Sequence, residues 1–170
     1  NLAIAVRQAQ HLGAQRVLIV DFDVHAGNGT MDCLHDDPNV LIFDLHQSHH
    51  YPYTGEQDDV GLGAAYGKRL NLPIPSGRGG EVHREAFERW LLPIARSFAP
   101  DLVVVAAGFD AHRSDPLGGL NLHEQDFAFM VRRLCQLADA TARGRLLLTL
   151  EGGYDLDAIT SSVGACAEVL

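Results

Sequence analysis

Four short apolar runs punctuate the chain: Arg16 to Val20, Val40 to Phe43, Leu102 to Ala106 and Leu146 to Leu150. Continuous Val, Ile and Leu without polar alternation suit strands covered on both faces, as in a parallel sheet. Longer segments between and beyond the runs carry helical patterns. From Glu81 to Phe98, the residues Val82, Phe87, Trp90, Leu91, Ile94 and Phe98 fall largely on one side, and Pro100 follows as a stop. From His123 to Ala142, behind a cap at Asn121, Phe127, Met130, Val131, Leu134 and Leu137 make a second apolar stripe. Both stripes are expected to pack on the sheet. The residues from Asn1 onward read as a helix stopped by Gly13, and Asp157 to Leu170 as a last helix. The pattern predicts an α/β fold with three layers around a central parallel sheet. Only Gln47 to Gly80 shows no regular pattern, and a long loop in a compact domain is often functional.

All four runs end on polar or glycine residues: Asp21-Phe22-Asp23, Asp44-Leu45-His46, Gly108-Phe109-Asp110 and Glu151-Gly152-Gly153-Tyr154. Open parallel sheets place their sites at the carboxyl ends of the strands, so these residues are expected on one edge. Asp21, Asp23 and His25 recur at period two, which in extended chain points them the same way. A hard or borderline cation accepts such carboxylates and imidazole. A bare pattern of this kind also describes a strand end whose aspartates cap nearby backbone. Asp110 changes the balance, because with Asp23 and His25 it completes an Asp-His-Asp set. Three protein ligands leave one coordination position open, the catalytic arrangement for zinc. Two carboxylates weaken the metal as a Lewis acid, so a hydrogen-bond donor would have to help polarise a carbonyl. Tyr154 offers a phenol, and Gly152 and Gly153 let backbone approach a ligand.

Composition narrows the field further. The 170 residues carry 13 basic and 22 acidic side chains, a net charge of −9. That length suits one domain or part of one, and the acidic balance argues against direct nucleic-acid binding through phosphate neutralisation. The chain shows no basic leader and no apolar run long enough to span a membrane. Cys33, Cys135 and Cys166 are far apart and odd in number, which suits free thiols in a reducing compartment, expected to be the cytoplasm.

The motifs carry a more specific resemblance. Asp21-Phe22-Asp23-Val24-His25-Ala26-Gly27-Asn28-Gly29-Thr30, then Gly108-Phe109-Asp110-Ala111-His112-Arg113 with Asp115-Pro116-Leu117-Gly118-Gly119, then Leu150-Glu151-Gly152-Gly153-Tyr154-Asp155-Leu156, resemble the zinc-dependent histone deacetylase family. The variants are most similar to its class II and bacterial deacetylase-like branch, and the motifs cover the chain from about Arg16 onward. The resemblance implies an arginase-like fold, zinc and a structural potassium ion as cofactors, and hydrolysis of an acetylated lysine or small acetylated amine. It implies zinc ligation by Asp23, His25 and Asp110, and an oxyanion donor in Tyr154. It implies that Asp21 and Asn28 support two catalytic histidines, and that Tyr51, Leu117, Gly152 and Gly153 line the substrate channel. Asp21, Asp23, His25, Asp44 and Leu45 match a potassium site, although serine is common where Asp44 stands.

Two departures from the family pattern bear on function. Its general base is one of two consecutive histidines in a glycine-rich motif upstream of the helix that opens this chain. The resemblance therefore implies that residues 1–170 are a partial catalytic domain, with further strands and that motif before Asn1. His49-His50 does not match the motif by position and is expected on the loop surface. Ala26 replaces a non-ligand histidine that commonly follows the metal-binding one. Two rivals stand beside the deacetylase: an inactive fragment or non-catalytic binder, and a binuclear manganese ureohydrolase. The latter needs more bridging carboxylates than the first motif offers.

Overall fold

The computed structural model describes all of residues 1–170. The apolar runs form strands β1 (Val17–Asp21), β2 (Val40–Gln47), β4 (Leu102–Ala107) and β5 (Leu146–Leu150). A further strand, β3 (Arg69–Ile74), joins them in one five-stranded sheet of order β3-β2-β1-β4-β5, every pair parallel. The helices are α1 (Leu2–His11), α2 (Asn28–Cys33), α3 (Gly80–Ala86), α4 (Leu92–Phe98), α5 (Glu124–Thr141) and α6 (Leu156–Ala167).

Alternation along the strands assigns side chains to two cores. Leu18, Val20, Leu41, Phe43, Val103 and Val105 point to the face covered by α3, α4, α5 and α6. Val17, Ile19, Val40, Ile42 and Val104 point to the other face, against Leu2 and Val6 of α1 and Met31 and Leu34 around α2. Val17–Val20, Val40–Phe43 and Val103–Ala106 are therefore continuously apolar because both faces of the sheet are packed there. This smaller core stops short of β5, where Leu147 and Leu150 remain exposed.

β3 lies inside the segment expected to be irregular. Its Leu70, Leu72 and Ile74 pack on the larger core. Arg69 instead donates to the Asp59 carboxylate at 2.9 Å and to the Met31 carbonyl at 2.9 Å. Asn71 Nδ2 donates to the Asp59 carbonyl, so polar side chains on this edge strand are buried with partners. The loop before β3 is thereby tied to the sheet.

Element ends differ from expectation for local reasons. β2 continues through Asp44, Leu45 and His46 to Gln47, because β3 offers partners as far as Ile74. The helix expected over Glu81 to Phe98 is broken by a π turn, Phe87–Leu91, ahead of Pro93, which has no backbone N–H to donate. Ala99 then closes α4 in the left-handed region, its N–H reaching the Ala95 carbonyl, before Pro100. α5 is not capped by Asn121: His123 is the cap, with its own N–H donating to the Asp126 carboxylate at 2.9 Å. α6 begins at Leu156, where Asp155 accepts from the Ala158 N–H. No helix is long and apolar enough to cross a membrane.

Under the strand ends, Phe22, Phe109 and Phe127 meet edge to face or tilted, with ring centroids 5.1 to 6.2 Å apart. They tie β1, β4 and α5 together directly beneath the chain's acidic residues. Phe22→Ala should cost about 3–5 kcal/mol of stability, read by urea unfolding. A variant as stable as the parent would contradict this packing.

Candidate active site

β1 and β4 are neighbours in register, so the residues that follow them leave the sheet side by side. Asp23 and His25 follow β1, and Asp110 follows β4. Their ligand atoms lie within 4.8 Å of one another. His25 Nδ1 stands 2.9 Å from Asp23 Oδ1 and 3.1 Å from Asp110 Oδ2. One imidazole nitrogen thus faces two carboxylates.

Backbone donors fix both acids. Asp110 Oδ1 accepts from the Val24 N–H at 2.8 Å, and Asp23 Oδ2 from the Gly152 N–H at 2.8 Å. Asp110 Oδ2 is buried and makes no hydrogen bond, although His25 Nδ1 stands 3.1 Å away. Burial first, then the Asp23 charge, pushes the Asp110 carboxyl up to about 7. An oxygen in this state calls for a positive partner, and a cation held by Asp23, His25 and Asp110 fits the donor set.

Glycine at two positions makes the approach of β4, β5 and the acids feasible. A Cβ at Gly152 would stand 2.0 Å from Asp110 Oδ2 and 2.6 Å from Asp23 Oδ2. A Cβ at Gly108 would stand 2.1 Å from Asp23 Oδ2.

Asp21 belongs to a different cluster. Its Oδ1 accepts from the Asp23 N–H, and it lies beside its register partner Asp44. Burial, then the Asp44 and Asp23 charges, pushes Asp21 well above the usual carboxylate range. Asp44 accepts from His46 Nδ1 at 2.6 Å and from the Gly27 N–H at 2.9 Å, with Leu45 buried beside it. Asn28, first residue of α2, lines a 410 Å³ cavity with Asp21, Asp23 and His25.

On the other side of His25, a 420 Å³ cavity is lined by His25, His50, Tyr51, Leu117 and Tyr154. Tyr51 and Leu117 are exposed at its mouth, and Tyr154 is 52 % exposed. Burial, then the charges of Asp110, Asp23 and Asp115, pushes the Tyr154 phenol up, which keeps it protonated and able to donate. Gly153 sits at φ +141, where side chains are disfavoured, in the turn that presents Tyr154.

The histidine pair divides. His49 is exposed, as expected of a loop surface, and His50 is half-buried. Its ring stacks on His25 with centroids 5.1 Å apart. Burial and the neighbouring His25 push its basicity down. The sequence held no local signal for this, because the two rings stand 25 residues apart in the chain, on loops that follow different strands.

A histone deacetylase domain profile matches residues 1–170. The chain belongs to the histone deacetylase family. Histone deacetylase 10, chloroplastic, of Oryza sativa subsp. japonica is 44% identical over 164 residues, 96% of this chain and 37% of that protein. Histone deacetylase 14, chloroplastic, of Arabidopsis thaliana is 43% identical over 164 residues, 96% of this chain and 39% of that protein. The crystal structure of the HDA15 HD domain superposes with a TM-score of 0.91 at 39% identity, covering 98% of this chain and 48% of that one. The histone deacetylase Clr3 superposes at 0.90 and 38% identity, over 99% of this chain and 29% of that one. This deacetylase-family chain thus spans well under half the length of the two curated relatives, and its sheet has the expected deacetylase-like fold.

Two measurements check the acidic cluster. If the acidic cluster holds a cation, Gly152→Ala should abolish cobalt or zinc binding while far-UV circular dichroism stays near that of the parent, because the new methyl takes the space of one carboxylate oxygen each of Asp110 and Asp23. Asp110 and Asp21, both raised, favour the folded state at low pH, and that contribution is lost as pH rises through about 7 for Asp110. A bound cation offsets the loss, so the rise in melting temperature on adding zinc should be larger at pH 8 than at pH 6. Equal rises would mean that no ligand proton is displaced.

Proposed function

We propose that the chain forms part of the catalytic domain of a zinc-dependent deacetylase. Its substrate in this proposal is an acetylated lysine or small acetylated amine, cleaved by water into a carboxylate and the free amine. One observation carries the reading: Asp23, His25 and Asp110 converge, and the His25 of that group is a wall of the cavity otherwise lined by His50, Tyr51, Leu117 and Tyr154.

In this reading Asp23, His25 and Asp110 hold zinc, which when bound supplies Lewis acidity toward the acyl oxygen. Tyr51 and Leu117 flank an extended aliphatic arm and exclude water from its sides. The Tyr154 phenol donates a hydrogen bond to the acyl oxygen as that oxygen gains negative charge. Gly152 and Gly153 keep the wall beside it free of side chains. Asp21 and Asn28 support the proton-transferring histidines, which the reading assigns to the glycine-rich motif expected before Asn1. A structural potassium ion at Asp21, Asp23, His25, Asp44 and Leu45 would offset the buried like charges of Asp21 and Asp44. The free thiols Cys33, Cys135 and Cys166 suit a reducing compartment such as the cytoplasm.

Zinc titration should show one ion per chain, where a binuclear manganese ureohydrolase would show two metal ions. Tyr154→Phe in the intact protein should retain that zinc but lose about 10²–10³-fold in turnover of an acetyl-lysine peptide. Full activity in this variant would sink the assignment.

A further inference from the structure

Nothing described so far accounts for how Tyr154 is held. Its phenol makes no hydrogen bond within the chain, and it follows Gly152-Gly153, the most permissive backbone in the site. The turn is anchored at Gly152, whose carbonyl accepts from the Phe109 N–H at 2.7 Å and whose N–H reaches Asp23. Beyond Gly153 the next anchor is the Tyr154 N–H itself. It donates to Asp115 Oδ2 at 2.7 Å.

Asp115 is buried, and its other oxygen is equally committed. Oδ1 accepts from the Leu117 N–H at 2.9 Å and the Gly118 N–H at 3.1 Å. The Asp115 N–H in turn donates to the His112 carbonyl at 2.9 Å. Gly118 packs so closely that a Cβ there would stand 1.9 Å from the Asp110 carbonyl oxygen. One carboxylate therefore spans two loops that reach the site from β4 and β5. It sets the start of the Leu117 wall with one oxygen and the backbone of Tyr154 with the other.

We propose that Asp115 is a positioning residue, a backbone clamp that fixes where the Tyr154 phenol stands relative to the Asp23, His25 and Asp110 group. The inference rests on Tyr154 as the oxyanion donor. A carboxylate is required because three N–H donors converge on it. An asparagine has one acceptor oxygen, so it keeps the Leu117 and Gly118 bonds and turns an NH₂ group toward the Tyr154 N–H.

The test is a double-mutant cycle in the intact protein, with an acetyl-lysine peptide as substrate. Asp115→Asn should bind one zinc per chain and lower kcat by about 10²-fold with KM little changed, since a misplaced catalytic group costs turnover. Adding Asp115→Asn to Tyr154→Phe should slow the enzyme little further, because the clamp has then lost the group through which it acts. Losses that multiply, or a raised KM with unchanged kcat, would overturn the clamp while leaving Tyr154 as the donor. A fully active Tyr154→Phe would remove the donor, and the clamp with it. Amide hydrogen exchange on the unsubstituted protein tests the bond even where Asp115→Asn fails to fold. The Tyr154 N–H should be protected although it lies outside any helix or strand, and exchange at the free rate would refute the clamp.

Discussion

Acidic side chains gathered and buried at one edge of the sheet are the constraint on which this structure turns. Asp21, Asp23, Asp44 and Asp110 are all buried at the carboxyl ends of β1, β2 and β4. Two of them are held up in pKa by burial and by acidic neighbours, Asp21 by Asp44 and Asp23, and Asp110 by Asp23. Like charges at such spacing would push the strand ends apart. The fold opposes this with backbone N–H groups from Asp23, Val24, Gly27 and Gly152, each aimed at a carboxylate oxygen. Those donors come from loops that must come very close, and the glycines are where they do. The backbone leaves Asp110 Oδ2 unsatisfied, and that oxygen is where the proposed cation would bind.

That constraint also explains which parts of the molecule could be read before it was folded. β1, β2 and β4 were legible because each is sandwiched between two cores, and a residue such as Ile19 or Val104 has no solvent to face. Asp23, His25 and Asp110 were legible for a related reason, since a parallel sheet delivers strand ends to one edge. β3 escaped notice because its polar positions are satisfied by partners remote in sequence. Arg69 reads as a loop residue until Asp59 and the Met31 carbonyl are placed beside it.

His50 and Asp115 share this dependence on distant partners, whereas the start of α5 is set locally. His50 is a loop residue by every local measure, and its contact with His25 joins the loop after β2 to the loop after β1. Asn121 has the composition of a cap, yet the helix starts where Asp126 can reach back to the His123 N–H. Asp115 sits in a motif whose proline and glycines suggest a turn. Nothing local shows that its second oxygen will meet Tyr154 from the next strand.

The register between β1 and β4 has a consequence for the order in which the molecule assembles. Asp23 and His25 adjoin each other in the chain, but Asp110 and Gly152 come from far along it. No partially formed local segment contains the full cation group, and closing the β1–β4 pair carries the loop entropy of everything between them. A cation held by this group would gain its full ligand set only once β1 and β4 have paired, so its binding energy would favour that long-range closure over any local segment.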